Sequence, residues 1–370
     1  MKEIRNVIEK AFVESADGNA PLTDFVIEAP KDRDFVVLQL SDPQIIDAGQ
    51  IRFYDRLNPI EKAYWATDKA EERCYGYLRE IIGNTKPDMI IIPGDLVYGE
   101  FDDNGSVMRT FVEFTDGFRI PWAPVFGNHD NESGMGVGWQ CEQLENAAYC
   151  LFKKGTVSGN GNYTVGISRN GELKRVFVML DTHGCRSQAG LYDDQIQWYT
   201  QTLEKIRRQV PSVKISFVMH IQPAVFKDAF GKYGFTDTDT VENPINIDAL
   251  REKDADDFGY IGADLKNPWD FDNKIWEGIK NLGTDSVFVA HQHANSGSVM
   301  FDGVRFQFGQ KSSTYDRANY ITPDGKIVCS FTQAGIPIIG GSVFSVCSRN
   351  GKIVNPHIYL CENAGGKPDR

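Results

Sequence analysis

Residues 89–98 read MIIIPGDLVY, an unbroken apolar run that stops at Pro93-Gly94 and at once delivers a carboxylate, Asp95. An apolar run without alternation is the pattern of a strand covered on both faces, as in a parallel sheet packed by helices. The same kind of run recurs through the chain: Phe35 to Leu40, Met89 to Ile92, Val125-Phe126, Val176 to Leu180, Ile215 to Met219 and Val287 to Val289. Between several of these runs the apolar spacing becomes helical. Ala63 to Ile82 is one such stretch, and Asp193 to Arg208, with Ile196, Trp198, Tyr199, Leu203 and Ile206 on one side, is another. Strand and helix alternate, which specifies a layered α/β protein.

Further along, the pattern changes. SVMFDGVRFQFG (298–309) and ITPDGKIVCS (321–330) each place Asp-Gly between two alternating runs, the signature of a tight hairpin. The last part of the chain, about 297–361, therefore reads as antiparallel hairpins. Residues 230–270 are polar, carry few strand signals and include TDTDT and KDADD. A polar insert of that size inside a domain often covers a site, which makes it a candidate substrate-shaping loop. With no internal repeat or long linker, residues 1–370 read as a single domain with its core at about 33–310.

Of the 370 residues 41% are hydrophobic and 24% charged, enough apolar material for a large core. A formal charge of -12 argues against electrostatic capture of nucleic acid or of an anionic membrane. It does not exclude a phosphate-bearing substrate, because bound metal cations reverse the field locally. No apolar run approaches the ~20 residues that a membrane span needs. The seven cysteines (74, 141, 150, 185, 329, 347 and 361) show no metal-knuckle spacing. They read as free or buried thiols in a reducing, cytoplasmic compartment, a Cys141–Cys150 disulfide being the alternative. The first residues, MKEIRNVIEKAFVESADG, are polar and amphipathic rather than a signal peptide. A secreted or periplasmic protein whose signal has been removed is the other reading.

The chemistry sits where the apolar runs end. Four of the six histidines (129, 220, 291 and 293) follow or lie between strand-like runs, as do Asp42 after LQLS, Asp95 after IIIPG and Asn128 after VFG. In open α/β sheets ligands bind outside the carboxyl ends of the strands, so side chains from such ends converge. Singly, each has a bland explanation: a core histidine, a turn-capping Asp, a surface His pair. Together, five strand ends each delivering a carboxylate, imidazole or amide are hard to account for as core filling.

In order, the blocks are Ser41-Asp42-Pro43-Gln44, Gly94-Asp95-Leu96-Val97-Tyr98, Gly127-Asn128-His129-Asp130, Met219-His220 and Ala290-His291-Gln292-His293. They resemble the signature blocks of the calcineurin-like metallophosphoesterases. IPWAPVFGNHDNES (120–133), SGNGNYTVGI (158–167) and the helix carrying Gln195 and Trp198 are similar to the purple-acid-phosphatase-related branch. The resemblance implies a four-layer sandwich of two mixed sheets flanked by helices. It also implies a dinuclear centre of Fe, Zn or Mn that hydrolyses phosphate esters with a metal-bridging hydroxide. Asp42 and His293 would hold the first ion, Asn128, His220 and His291 the second, and Asp95 both. His129 would donate a proton to the leaving oxygen, with Asp130 orienting it or serving the structure.

Three positions depart from the usual pattern. Gln44 stands where many members carry His, and is either an amide ligand or part of the site wall. Tyr98 is a candidate ligand for ferric iron or an aromatic neighbour, and Ala290 replaces a glycine. His183 in LDTHGC lines the pocket or serves the structure, and His357 is incidental. Lys311 in FGQKSS reaches a substrate phosphate or stands as a solvated charge. The substrate class is a phosphorylated small molecule or phosphoprotein. A nuclease or cyclic-nucleotide phosphodiesterase, and a metal-binding scaffold with weak catalysis, are the alternatives.

Overall fold

The computed structural model describes residues 22–50, 55, 59, 62, 70–102, 104–184, 190–234, 245–262, 273–313, 318–330 and 335–362. Its strands are β1 (Phe25–Glu28), β2 (Phe35–Gln39), β3 (Met89–Pro93), β4 (Trp122–Val125), β5 (Tyr163–Arg169), β6 (Glu172–Leu180), β7 (Lys214–Met219), β8 (Ile245–Asn246), β9 (Phe258–Ile261), β10 (Thr284–Val289), β11 (Asn295–Phe301), β12 (Val304–Phe308), β13 (Ala318–Ile321), β14 (Ile327–Ser330), β15 (Ile336–Pro337), β16 (Gly340–Val346) and β17 (Ile353–Leu360). The helices are α1 (Ala70–Thr85), α2 (Ser106–Asp116), α3 (Val137–Asn146), α4 (Asp193–Gln209), α5 (Val225–Gly231) and α6 (Asn273–Asn281).

Two mixed sheets face each other. One has the order β17-β16-β2-β3-β4, the other β1-β5-β6-β7-β10-β12-β11-β9-β8, and β14-β13-β15 form a small third sheet. The apolar runs occupy the parallel centres: β2 beside β3 beside β4, and β6 beside β7 beside β10. Each of these strands is buried on both sides. Phe177, Phe288 and Phe344 fill the space between the sheets, with the Phe288 and Phe344 rings stacked at 4.6 Å. Leu78 and Ile81 of α1 and Phe111 of α2 join that core from the helices. Tyr199, Leu203 and Ile206 of α4 and Phe226 and Phe230 of α5 pack in a second core with β6, β7 and β10. The result is the four-layer α/β sandwich that the resemblance implied.

Because Phe288 is fully buried and shared between the two sheets, Phe288→Ala is expected to lower unfolding free energy by about 3–5 kcal/mol. Urea unfolding followed by tryptophan fluorescence measures it, and a loss below ~1 kcal/mol would contradict this view of the core.

Both Asp-Gly hairpins form. At the β11–β12 turn Asp302 and Gly303 both take positive φ, 49° and 78°, which the turn requires. The periodicity did not show that this hairpin extends the nine-stranded sheet, whereas β13 and β14 belong to the small sheet. Within the polar 230–270 segment, β8 and β9 add strands to the edge of the large sheet; residues 235–244 and 263–272 lie outside the described ones. The first helix is described from Ala70, so 63–69 also lie outside. Cys141 and Cys150 are both free and buried, so the alternative disulfide is absent. Among the described residues no helix is long and apolar enough to cross a membrane.

Candidate metal centre

The parallel strands of the two sheets end at a common rim. Gln39, the last residue of β2, donates its side-chain N–H to the Val289 carbonyl at the end of β10 (2.8 Å), and this joins the sheets where the polar residues begin. Asp42 follows β2, Asp95 follows β3, Asn128 and His129 follow β4, His220 follows β7, and His291 and His293 follow β10.

These loops turn sharply, and the backbone shows it. Asp42, Gln44, Asp95 and His291 have φ of 49°, 44°, 54° and 68°. Left-handed conformations are uncommon outside glycine and cost free energy, so their grouping at one rim marks a site whose side-chain directions are enforced by the fold. Glycines make the close approaches. A Cβ at Gly94 would lie 2.6 Å from His220 Nδ1, and one at Gly127 only 2.1 Å from Asp95 Oδ1.

All the expected ligands that follow the strands come together. Asp42, Asp95 and His293 present ligand atoms within 4.8 Å of one another. Asp42 Oδ1 lies 3.5 Å from His293 Nε2 and accepts the His291 N–H at 3.1 Å. His220 Nε2 lies 3.0 Å from Asn128 Oδ1, 3.2 Å from His291 Nδ1 and 3.5 Å from Asp95 Oδ2. Asp95 Oδ1 accepts the His129 N–H at 2.9 Å. Asp95 thus lies between the Asp42–His293 group and the Asn128–His220–His291 group.

The donor set fits cations. His220 Nδ1 is 2.8 Å from the Pro93 carbonyl, which can only accept, so Nδ1 carries a proton and Nε2 faces inward. There it meets an amide oxygen, a carboxylate oxygen and a second imidazole, a buried gathering of acceptors that a positive charge would satisfy. Burial, and then the neighbouring His220, pushes the His291 imidazole well below its ordinary pKa and leaves it neutral. At Asp42 burial works toward protonation, but His293 and then His220 and Lys311 outweigh it and hold the carboxyl below its usual range. Oxygen and imidazole donors without thiolate suit Zn, Mn or Fe.

The remaining expected residues take distinct places. His129 pairs Nδ1 with Glu132 Oε2 at 2.8 Å, and its ring stacks on Tyr98 at 3.9 Å between centroids. Glu132 was not singled out in the sequence, although a carboxylate three residues after a histidine within one turn is the available signal. Asp130 instead accepts the backbone N–H groups of Gly127 (2.7 Å) and Val97 (3.1 Å), tying two ligand loops together. Burial, and then the nearby Asp95, raises its carboxyl well above the usual range. Gln44 donates to Asp95 Oδ2 at 3.1 Å. Lys311 is neither solvated nor directed at a substrate: it is buried and donates to Gln44 Oε1 and to the Asp42 carbonyl. His183 pairs with Gln195 at 3.0 Å and stacks on Tyr192.

Phosphatase DCR2 of Saccharomyces cerevisiae is 24% identical over 211 residues, 54% of this chain and 35% of that protein. Probable inactive purple acid phosphatase 14 of Arabidopsis thaliana is 30% identical over 103 residues, covering 27% of this chain and 24% of that one. The chain thus spans about a third or less of the length of these curated relatives. A crystal structure of a dimetal phosphatase from Danio rerio aligns with 89% of this chain and 99% of its own, with a TM-score of 0.42 and 11% identity. The calcineurin-like phosphoesterase model matches residues 35–311, a span that begins at β2 and takes in every one of the strand-end acids, amides and imidazoles, and the chain belongs to that family.

Proposed function

We propose that this chain hydrolyses phosphate esters, with a pair of di- or trivalent metal ions (Fe, Zn or Mn) held by Asp42, Asp95, Asn128, His220, His291 and His293. The observation that carries this reading is the convergence of those six side chains from five strand ends, with Asp95 between the two groups. Two such cations would supply an acidified water as nucleophile and offset the charge on the phosphoryl oxygens.

The chain's own residues do the rest. The His291 N–H fixes the Asp42 carboxylate and the His129 N–H fixes that of Asp95, so neither acid needs to reorganise during the reaction. His129, partly exposed beside the centre, donates a proton to the leaving oxygen, and Glu132 and Tyr98 hold its ring in place. Asp130 is a positioning residue that locks the Gly127 and Val97 backbones. Tyr98 remains a candidate ligand through its phenol. The substrate is a phosphorylated small molecule or phosphoprotein; the net charge of -12 disfavours nucleic acid.

Elemental analysis of protein purified without chelator, paired with turnover of p-nitrophenyl phosphate and bis-p-nitrophenyl phosphate, tests the reading. About two transition-metal ions per chain and turnover of at least one ester are expected. Less than one ion per chain and no turnover after added Mn(II) or Zn(II) would favour a scaffold instead.

A further inference from the structure

We propose that Lys311 is a positioning residue that keeps Gln44 out of the ligand shell and leaves the first metal position, that of Asp42 and His293, the weaker of the two. The proposal rests on the reading above that these side chains hold a pair of cations.

The geometry fixes which way the Gln44 amide points. An ammonium can only donate and a carboxylate can only accept. The Gln44 atom facing Lys311 Nζ is therefore the amide oxygen, and the one 3.1 Å from Asp95 Oδ2 is the amide nitrogen. Only the oxygen of an amide ligates a cation, and in Gln44 that oxygen is engaged by a charged donor, the stronger kind of hydrogen bond. Gln44 is fully buried with a φ of 44°, so its backbone direction is set by the loop.

Lys311 is held as firmly. Its backbone bridges Ser41, the Ser312 N–H donates to the Ser41 carbonyl at 3.0 Å, and the Gly340 N–H donates to the Lys311 carbonyl at 3.1 Å. The segment can lie this close to the end of β2 because residue 309 is glycine: a Cβ there would sit 1.8 Å from Ser41 Oγ. The ammonium also donates to the Asp42 carbonyl at 2.8 Å, and the side chain is about 1% exposed. A fixed positive charge, poorly screened, thus stands one peptide from a first-position ligand. It disfavours a cation there by Coulomb repulsion and occupies the oxygen that would otherwise add a ligand. The ammonium is bonded within the Asp42 side of the centre, so the two positions are unequal by construction.

The test is calorimetric titration of the chelator-treated 370-residue chain with Mn(II), with ion stoichiometry checked by elemental analysis. Wild type is expected to bind two ions in unequal steps. Lys311→Met is expected to tighten the weaker step about tenfold by removing the repelling charge and freeing the Gln44 oxygen. Gln44→Leu is expected to retain two ions with no loss in the weaker step. An unchanged or weaker second step in Lys311→Met, or loss of one ion in Gln44→Leu, overturns the proposal; should Lys311→Met fail to fold, Gln44→Leu decides alone. If wild type binds no Mn(II), the proposed function falls and this proposal with it. If wild type binds two ions and the variants behave otherwise than stated, this proposal alone falls.

Discussion

Asp95→Asn is expected to empty the metal centre and to lower kcat/KM by about a thousandfold or more. The carboxylate is about 1% exposed and holds an enforced φ of 54°, so the chain cannot swing another group into its place. Both of its oxygens already meet donors, the His129 N–H at Oδ1 and the Gln44 amide N–H at Oδ2. An amide at this position loses the negative charge that the two proposed cations would share. It also sets an NH2 group against one of those donors, wherever it points, which costs a buried hydrogen bond. Elemental analysis should find well under one ion per chain, with the far-ultraviolet circular dichroism retained. Two ions per chain in the folded variant would show that Asp95 does not link the two groups.

His129→Ala is expected to leave metal content near that of wild type while kcat falls about a hundredfold to a thousandfold. The distinction between these two variants is geometric. The contact from residue 129 to Asp95 is made by its backbone N–H, which alanine keeps. The ring itself pairs with Glu132 and lies on Tyr98. In the proposed role, removing the imidazole therefore deletes the proton donor without deleting a ligand. An ester with a good leaving group, which needs little proton donation, should suffer much less than one with a poor leaving group. Loss of metal, or an equal loss on both esters, would contradict the role.

The strand ends that form the rim were legible in the sequence because buried parallel strands write themselves as short β-branched runs, and a rim is where such runs stop. Asp42, Asp95, Asn128, His220, His291 and His293 each follow one; the run endings marked the positions, and the family resemblance grouped them as a candidate ligand set. The partners of those residues were not legible. Lys311 meets Gln44 across 267 positions and is held there by a backbone bridge to Ser41 that no local pattern specifies. Asp130 sits beside His129 in sequence, yet its carboxylate turns to the backbones of Gly127 and Val97, because burial makes unpaired N–H groups costly. The hairpin turns were visible through Asp-Gly, but which sheet each hairpin joins depends on side-chain packing that no local pattern encodes. The short strands β8 (Ile-Asn) and β9 (Phe-Gly-Tyr-Ile) were missed within a polar stretch because each is too short to show an alternating pattern.

The left-handed backbone at three of the acids and imidazoles has a consequence for how such a centre can drift over generations. At positions 42, 95 and 291 the main chain tolerates Asp, Asn, His and Gly far better than β-branched residues. Identity there is therefore constrained even in a descendant that has abandoned chemistry. His220 and His293, whose φ values are ordinary, carry no such constraint. The backbone alone would keep positions 42, 95 and 291 within Asp, Asn, His and Gly, so a residue of that kind retained there is by itself poor evidence that a descendant still works.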